Sequence, residues 1–384
     1  MKKYTTDYWF TIEPYVYISL TNKKVLLYNT LDRMTIESEQ IEVIELLRGI
    51  IRKENCGVVL LKYEQYKQKI INDFIREIRN KYMGDIIDVS LSNSKPIQIL
   101  PYVNFLKDNK IYKEQSFPRL KNIFDNLSEI SIFVDMTTDL IKLIPFLQSI
   151  PGNQVFNIIG NIGEVKNYKE LLFYFNKIPS HKRMIYSYKN IIPLLSIFNN
   201  NFSYKISINF PIDMQQWNNS NQILINQSLP VEYIFDVSSE NDIQQAEQFV
   251  EKYQIIKFQL NPIYTGNNIS FFEDNIFFTK DDILSTTISI KDIFIHQSMN
   301  IYDYGKINIL SNGDVFANLR HPVLGNISTE SVHEIVFKEI EEGKSWLNVR
   351  NQEPCNECVY QWLCPSPSIF EMLIGRANLC NIKR

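Results

Sequence analysis

Cys355, Cys358, Cys364 and Cys380 place four of the chain's five thiols in its last thirty residues, at the spacing C-x2-C-x5-C-x15-C. Four thiolates complete a tetrahedral metal site or hold an iron-sulfur cubane. The C-x2-C pair bends a short loop so that both sulfurs point inward, the third sulfur arrives a turn later, and Cys380 closes the site from a separate segment. With all four ligands drawn from protein, no coordination position stays open for substrate. Such a site suits structure or electron transfer better than Lewis-acid catalysis. Spacing alone leaves structural zinc and a 4Fe-4S cluster both open.

No second reactive constellation is legible. His181, His296, His321 and His333 form no metal-spaced pair, and each reads as a surface or core residue. No Ser-His-Asp arrangement, phosphate loop or glycine-rich nucleotide fingerprint occurs. The remaining thiol, Cys56, precedes Gly57 and reads as a small core residue. Trp9, Trp217 and Trp346 read as packing residues, while Trp362, between two sulfurs, would shield a metal centre from water.

The 384 residues suffice for two or three domains, and a 45% hydrophobic content fills real cores. Forty basic residues against 43 acidic ones, without a long charged block, give no electrostatic reason to expect nucleic acid or an anionic membrane as partner. No apolar signal core opens the chain, and nowhere do about 18 uncharged apolar residues follow one another. The expectation is a cytoplasmic protein. In that reducing compartment clustered cysteines point to a metal or redox site rather than a disulfide framework.

Three blocks must position the thiols. In residues 1–90, Tyr15–Leu20 and Val25–Thr30 read as a hairpin, Met34–Ile36 as a short third strand, and Ile41, Ile44, Leu47 and Ile50 as one face of a helix. Gly57–Leu61 reads as a strand and Tyr63–Tyr82 as one long helix with Tyr66, Ile70, Phe74, Ile78 and Tyr82 on its apolar side, stopped by Gly84. After a linker with Pro96, Pro101 and Pro118, residues 91–265 alternate strands and helices. The strand candidates are Ile130–Val134, Val155–Ile159, Met184–Tyr188, Tyr204–Phe210, Val231–Asp236 and Ile255–Leu260. Asn167 with Glu170 and Ser239 with Asp242 read as capping boxes opening two of the helices, and Pro145 and Pro193 fall inside two others. Strict alternation predicts an α/β fold with a parallel sheet, doubly wound or curled into a full or partial barrel. From about residue 263 the alternation stops, and Lys306–Leu310 and Val315–Leu319 flank Asn312-Gly313 as a hairpin of a smaller third domain, residues 266–384.

The run INILSNGDVFANLRHPVLGNISTESVHEI, followed by CNECVYQWLCPSPS and Cys380, resembles the SPASM domain of radical SAM peptide-modifying enzymes. In that family a hairpin cysteine, a cysteine after an LGN turn and the run C-x2-C-x5-C-x3-C with one later cysteine hold two auxiliary 4Fe-4S clusters. Here Asn318, Glu330 and Ser368 stand at three of those cysteine positions, all belonging to the first auxiliary cluster. Cys355, Cys358, Cys364 and Cys380 match the set that holds the second. Loss of one ligand set with retention of the other favours one 4Fe-4S cluster over structural zinc.

The resemblance implies that the alternating region is a partial (β/α)6 radical-SAM-like barrel. Such a barrel needs C-x3-C-x2-C after its first strand, and Asp135–Pro145, DMTTDLIKLIP, contains no cysteine. No S-adenosylmethionine cofactor is therefore expected. Gly160-Asn161-Ile162-Gly163-Glu164 stands where the family carries Gly-Gly-Glu, as a remnant or as a plain turn. The N-terminal block resembles the RiPP recognition element, a winged-helix-like α+β domain that takes the leader of a ribosomal precursor peptide as an added strand; an unrelated α+β cap is the other reading. That resemblance implies a peptide groove at Met34, Thr35, Ile36, Tyr66 and Ile70. The whole chain resembles the pseudo-radical-SAM SPASM proteins of Bacteroidota peptide-maturation systems. It implies a non-catalytic partner that binds the precursor leader and a catalytic radical SAM maturase. A single-cluster electron-transfer protein and an enzyme with a repurposed barrel pocket stay as alternatives.

Overall fold

The computed structural model describes residues 6–103, 124–150, 153–191, 201–227 and 230–382. Pro118, Pro193 and Asn199–Asn200 lie outside them.

The N-terminal strands are β1 (Tyr8–Ile12), β2 (Val16–Leu20), β3 (Val25–Asn29) and β4 (Thr35–Ser38), followed by α1 (Ile41–Ile50) and β5 (Val58–Leu61). Next come the short α2 (Tyr63–Tyr66), α3 (Lys69–Asn80) and β6 (Gly84–Asp88). They form two antiparallel sheets, ordered β5-β1-β6 and β2-β3-β4. The hairpin, the third strand and α1 lie where the apolar patterns place them. The single helix expected over Tyr63–Tyr82 is two, and Gly84 opens β6 instead of stopping a helix. The residue that leaves the helix in the left-handed conformation is Tyr82, at φ 53°. The buried side of α3 is Ile71, Phe74, Ile75 and Ile78, so Ile70 and Tyr82 do not belong to its apolar face. A break after Tyr66 resets the helical phase, which is why the assumed i, i+4 series fails. β1 and β6 escape sequence reading because each is short and is stabilised by partners far away in the chain.

The alternating region gives β7 (Glu129–Val134), α4 (Leu140–Gln148), β8 (Val155–Gly160), α5 (Tyr168–Lys177), β9 (Lys182–Ser187) and β10 (Ser203–Asn209). It continues with α6 (Met214–Gln227), β11 (Val231–Val237), α7 (Glu240–Tyr253) and β12 (Phe258–Pro262). All six expected strands are present; the last begins three residues late, at Phe258. They lie parallel, each beside its predecessor, in the order β12-β11-β10-β9-β8-β7. A sheet that never reverses its order is not doubly wound. Successive right-handed crossovers in one direction put the helices on one face. The alternating burial of β7, β9 and β10 follows from this: one set of side chains is buried, the other half-buried. Lys182 marks the helix side, its Nζ donating to Phe175 O and Ile178 O at 3.1 and 2.8 Å.

Two capping expectations change. Asn167 sits at φ 61° without a side-chain cap bond. Ser239 does cap α7 by accepting from Asp242 N, but Asp242 answers Ser238 rather than Ser239. Gly160 at the end of β8 has φ 111°, and a Cβ there would stand 2.3 Å from Val134 O. Close strand approach therefore accounts for this glycine.

The last block contains α8 (Ile269–Asn275), α9 (Lys280–Ser285), α10 (Ile290–Ser298), β13 (Lys306–Ile309), β14 (Asp314–Phe316), β15 (Gly325–Asn326), α11 (Val332–Glu342) and α12 (Ile369–Ile374). The Asn312-Gly313 hairpin forms, yet it is not a sheet of its own. β13 pairs in parallel with β7, so β13-β14-β15 extend the six strands into one nine-stranded sheet. Among the described residues no helix is long and apolar enough to cross a membrane.

Candidate metal centre and its surroundings

A succession of tight turns carries three of the cysteines. Cys355 N–H donates to Gln352 O, Cys358 N–H to Cys355 O and Cys364 N–H to Tyr360 O, at 2.8–3.1 Å. Cys380 arrives from the far side, where it bridges Phe278, with Phe278 N–H on Leu379 O and Asn381 N–H on Phe278 O. All four are free thiols of intermediate exposure.

Two of the four sulfurs have polar donors beside them. The Arg350 guanidinium stands 4.0 Å from Cys355 Sγ, Asn378 Nδ2 stands 3.9 Å from the same sulfur, and Ile382 N–H reaches Cys380 Sγ at 3.3 Å. Burial pushes the Cys364 thiol up to about 12; Arg350 opposes this, and the Cys358, Cys380 and Cys355 sulfurs add to it. Four mutually repelling sulfurs become thiolates together only when a cation compensates them. The donor set thus fits a thiolate-bound metal group. The sulfurs share a neighbourhood, not a coordination sphere: among the described residues no three His, Cys, Asp or Glu side chains are gathered to hold a single ion.

Arg350 and Glu371 support this segment. They pair at 2.8 Å with side-chain exposures of 5% and 6%, and Arg350 also donates to Pro365 O and Ser366 O. Neither was visible as important in the sequence, because nothing local distinguishes a buried charge from an exposed one.

The apolar residues between Cys358 and Cys364 face the N-terminal block. Val359, Tyr360, Trp362 and Leu363 form one buried cluster with Tyr17, Leu26 and Tyr28 of the β2-β3-β4 sheet and with Ile283 and Ile293. The other face of that sheet, through Val16, Ile18, Val25, Leu27 and Ile36, packs on α1 and α3. Trp362 thus serves this interface, and its carbonyl lies 3.0 Å from Nδ1 of the buried His296. Tyr28 Oη accepts from Ile288 N–H at 3.0 Å. Glu37 lies on the same sheet face. It accepts from Lys24 at 2.7 Å, Lys280 at 2.6 Å and the Tyr360 hydroxyl.

Asn318, Glu330 and Ser368, where the sequence resemblance would place cysteines, have structural partners. Asn318 Nδ2 donates to Asp303 Oδ2 at 2.8 Å, Glu330 accepts from Asn326 N–H at 2.7 Å, and Ser368 caps α12 in a box with Glu371. Asn318 and Ser368 line a cavity of about 420 Å³, together with Lys306, Asn308 and Arg350; Glu330 is not among its lining residues. After β7, Asp135 accepts from Thr137 and from Ser311 Oγ, closing the turn with polar bonds. Polar side chains on the half-buried sheet face pair with one another, Asn157 with Glu129, Lys205 with Glu232, and both Ser207 and Asn261 with Asp236.

Of the expected groove residues, Met34 is exposed, Thr35 half-buried and Ile36 buried. Thr35 O accepts from Lys81 Nζ at 2.9 Å. Ile70 is exposed at the start of α3, whereas Tyr66 packs its ring on Tyr8 at 4.8 Å and lines a separate cavity with Arg76, Arg79 and Tyr82. Cys56 is not a core residue: it is exposed, at φ 50°, because it closes a turn before Gly57 approaches Gln98 O.

No protein-family model matches the chain, and no curated protein matches it. Among solved structures, Streptococcus suis SuiB bound to S-adenosylmethionine aligns over 97% of this chain and 98% of that one, at 12% identity and a TM-score of 0.39. Native anSMEcpe with bound AdoMet and Cp18Cys peptide aligns over 62% of this chain and 88% of that one, at 10% identity and a TM-score of 0.41. At scores below 0.5 neither likeness decides the fold or the activity.

Proposed function

We propose that this chain is a non-catalytic, radical-SAM-like partner protein of ribosomal peptide maturation. It holds one 4Fe-4S cluster at Cys355, Cys358, Cys364 and Cys380 and takes a precursor leader at the edge of β4. The observation that supports the reading is that a succession of turns carries three of the cysteines and the bridge to Phe278 brings the fourth from a second segment, with Arg350 and Asn378 near the Cys355 sulfur and Ile382 N–H on that of Cys380. Hydrogen bonds to the sulfurs are one of the levers that set a cluster's potential. A single zinc ion would have to draw all four sulfurs to about 2.3 Å from one point. A cubane meets its thiolates at separate corners, and the orderly loss of the other ligand set at Asn318, Glu330 and Ser368 also favours it.

The non-catalytic part rests on atoms absent from the sequence. Between Cys56 and Cys355 there is no cysteine, so no three-thiolate loop follows β7. β4 is an edge strand, and a peptide pairing with it would gain backbone hydrogen bonds with modest sequence demand. The peptide-binding domain (1–90), degenerate barrel (91–265) and SPASM-like domain (266–384) belong to this reading.

Anaerobically purified full-length protein tests it. The expected result is four irons with sulfide per chain, no reductive cleavage of S-adenosylmethionine, and binding of the leader encoded beside the gene. One zinc without iron would replace the cluster with a structural ion; cleavage activity would overturn the non-catalytic role; no leader binding, alone or with the maturase, would overturn the scaffold role.

A further inference from the structure

Glu37 joins two features that lie at opposite ends of the chain. In an antiparallel pair, successive residues turn their backbone alternately toward and away from the partner strand. Asn29 N–H donates to Met34 O at 2.9 Å, so Met34, Ile36 and Ser38 face β3, while Thr35 and Glu37 turn their backbone to the open edge. Lys81 already covers Thr35 O. The side chain of Glu37 leaves the sheet on the face packed against the cysteine segment, where it meets Tyr360, which lies between Cys358 and Cys364.

The segment from Cys355 to Cys364 contains one short 3-10 turn and otherwise only tight turns. A chain of turns has little conformational preference of its own, so packing of Val359, Tyr360, Trp362 and Leu363 seats this one, and a group that cross-links its sulfurs would hold Tyr360 more firmly in that seat. We infer that Glu37 is a coupling residue, through which assembly of the metal centre orders the edge strand β4. Tyr360 supplies the link to the centre, and Lys24 and Lys280 hold the carboxylate in place. This rests on the metal-centre reading above but not on the identity of the peptide.

Hydrogen-deuterium exchange on the full-length chain tests it, comparing protein loaded with iron and sulfide against the same protein after chelation. The amides of Ile36 and Ser38, which face β3, report order in β4. In the wild type, chelation is expected to speed their exchange by about tenfold or more, with β10 amides as the control for global opening. In Glu37→Ala and in Tyr360→Phe, which keeps the ring packing, the loaded protein is expected to exchange at the chelated wild-type rate with unchanged metal content. Glu37→Gln, which keeps an acceptor oxygen, is expected to restore part of the difference. Equal exchange in loaded and chelated wild type would overturn the coupling, as would a metal-dependent difference that persists in both Glu37→Ala and Tyr360→Phe. Metal analysis of the same samples separates these outcomes from a failure to load, which would sink the metal-centre reading and the coupling with it.

Discussion

Glu37 on β4 accepts a hydrogen bond from Tyr360 across 323 positions of sequence, and Tyr360 stands between two of the candidate metal ligands. Burial alone would raise the Glu37 carboxyl; hydrogen bonds from Lys24, Lys280 and Tyr360 outweigh it and lower the carboxyl to about 2. The groups facing it come from three places: Lys24 in the turn before β3, Lys280 on α9 and Tyr360 in the cysteine segment. Glu39 lies 3.6 Å from Lys24.

A carboxyl depressed by folding stabilises the fold fully above its unfolded value and loses that contribution as pH falls through the folded value. The docking of the N-terminal sheet should therefore weaken between pH about 4.5 and 2. Urea unfolding at pH 6 and pH 3.5 checks this. Wild type should lose more stability over that interval than Glu37→Gln; an equal loss in both would refute it.

The buried Arg350–Glu371 pair should not tolerate removal of one partner. Arg350→Met leaves Glu371 charged and uncompensated, and breaking such a pair costs about 3–5 kcal/mol. The urea midpoint should fall accordingly. The variant should also retain less metal, since the guanidinium near Cys355 is gone.

The metal content should depend on Cys380 and not on Cys56. Cys380→Ser removes the candidate ligand brought from a second segment, whereas Cys56 is an exposed turn residue of the N-terminal block. Metal analysis of both variants decides it: iron should be lost from the first and unchanged in the second.

Gly160→Ala should destabilise the large sheet. At φ 111° an L side chain is strained, and its Cβ would collide with Val134 O. A residue forced into such a region costs on the order of 1–3 kcal/mol before the collision is counted. Thermal unfolding would show a lower midpoint; an unchanged one would contradict the close approach of β7 and β8.

Tyr28→Phe should weaken the docking of the N-terminal sheet on the cysteine segment. It leaves the Ile288 N–H without its acceptor, which costs on the order of 1–3 kcal/mol. Denaturant titration followed by tryptophan emission reads this directly, because Trp362 lies in the same cluster.

Local chemistry determined much of this protein. Runs such as Ile130–Val134 and Tyr204–Phe210 declare strands through apolar content and β-branching, Asn312-Gly313 declares its hairpin, and the cysteine spacing marks the candidate site. These signals are readable because each is stored within a few residues. Only the tertiary structure decided that β13 lies beside β7, that β1 sits between β5 and β6, that Cys56 faces solvent, and that Arg350 is buried against Glu371. The same holds for Glu37 and Tyr360. Their meeting depends on sheet twist, turn geometry and packing summed along the whole chain, and a period of 2 or 3.6 in the sequence carries no record of which distant surface it will be pressed against.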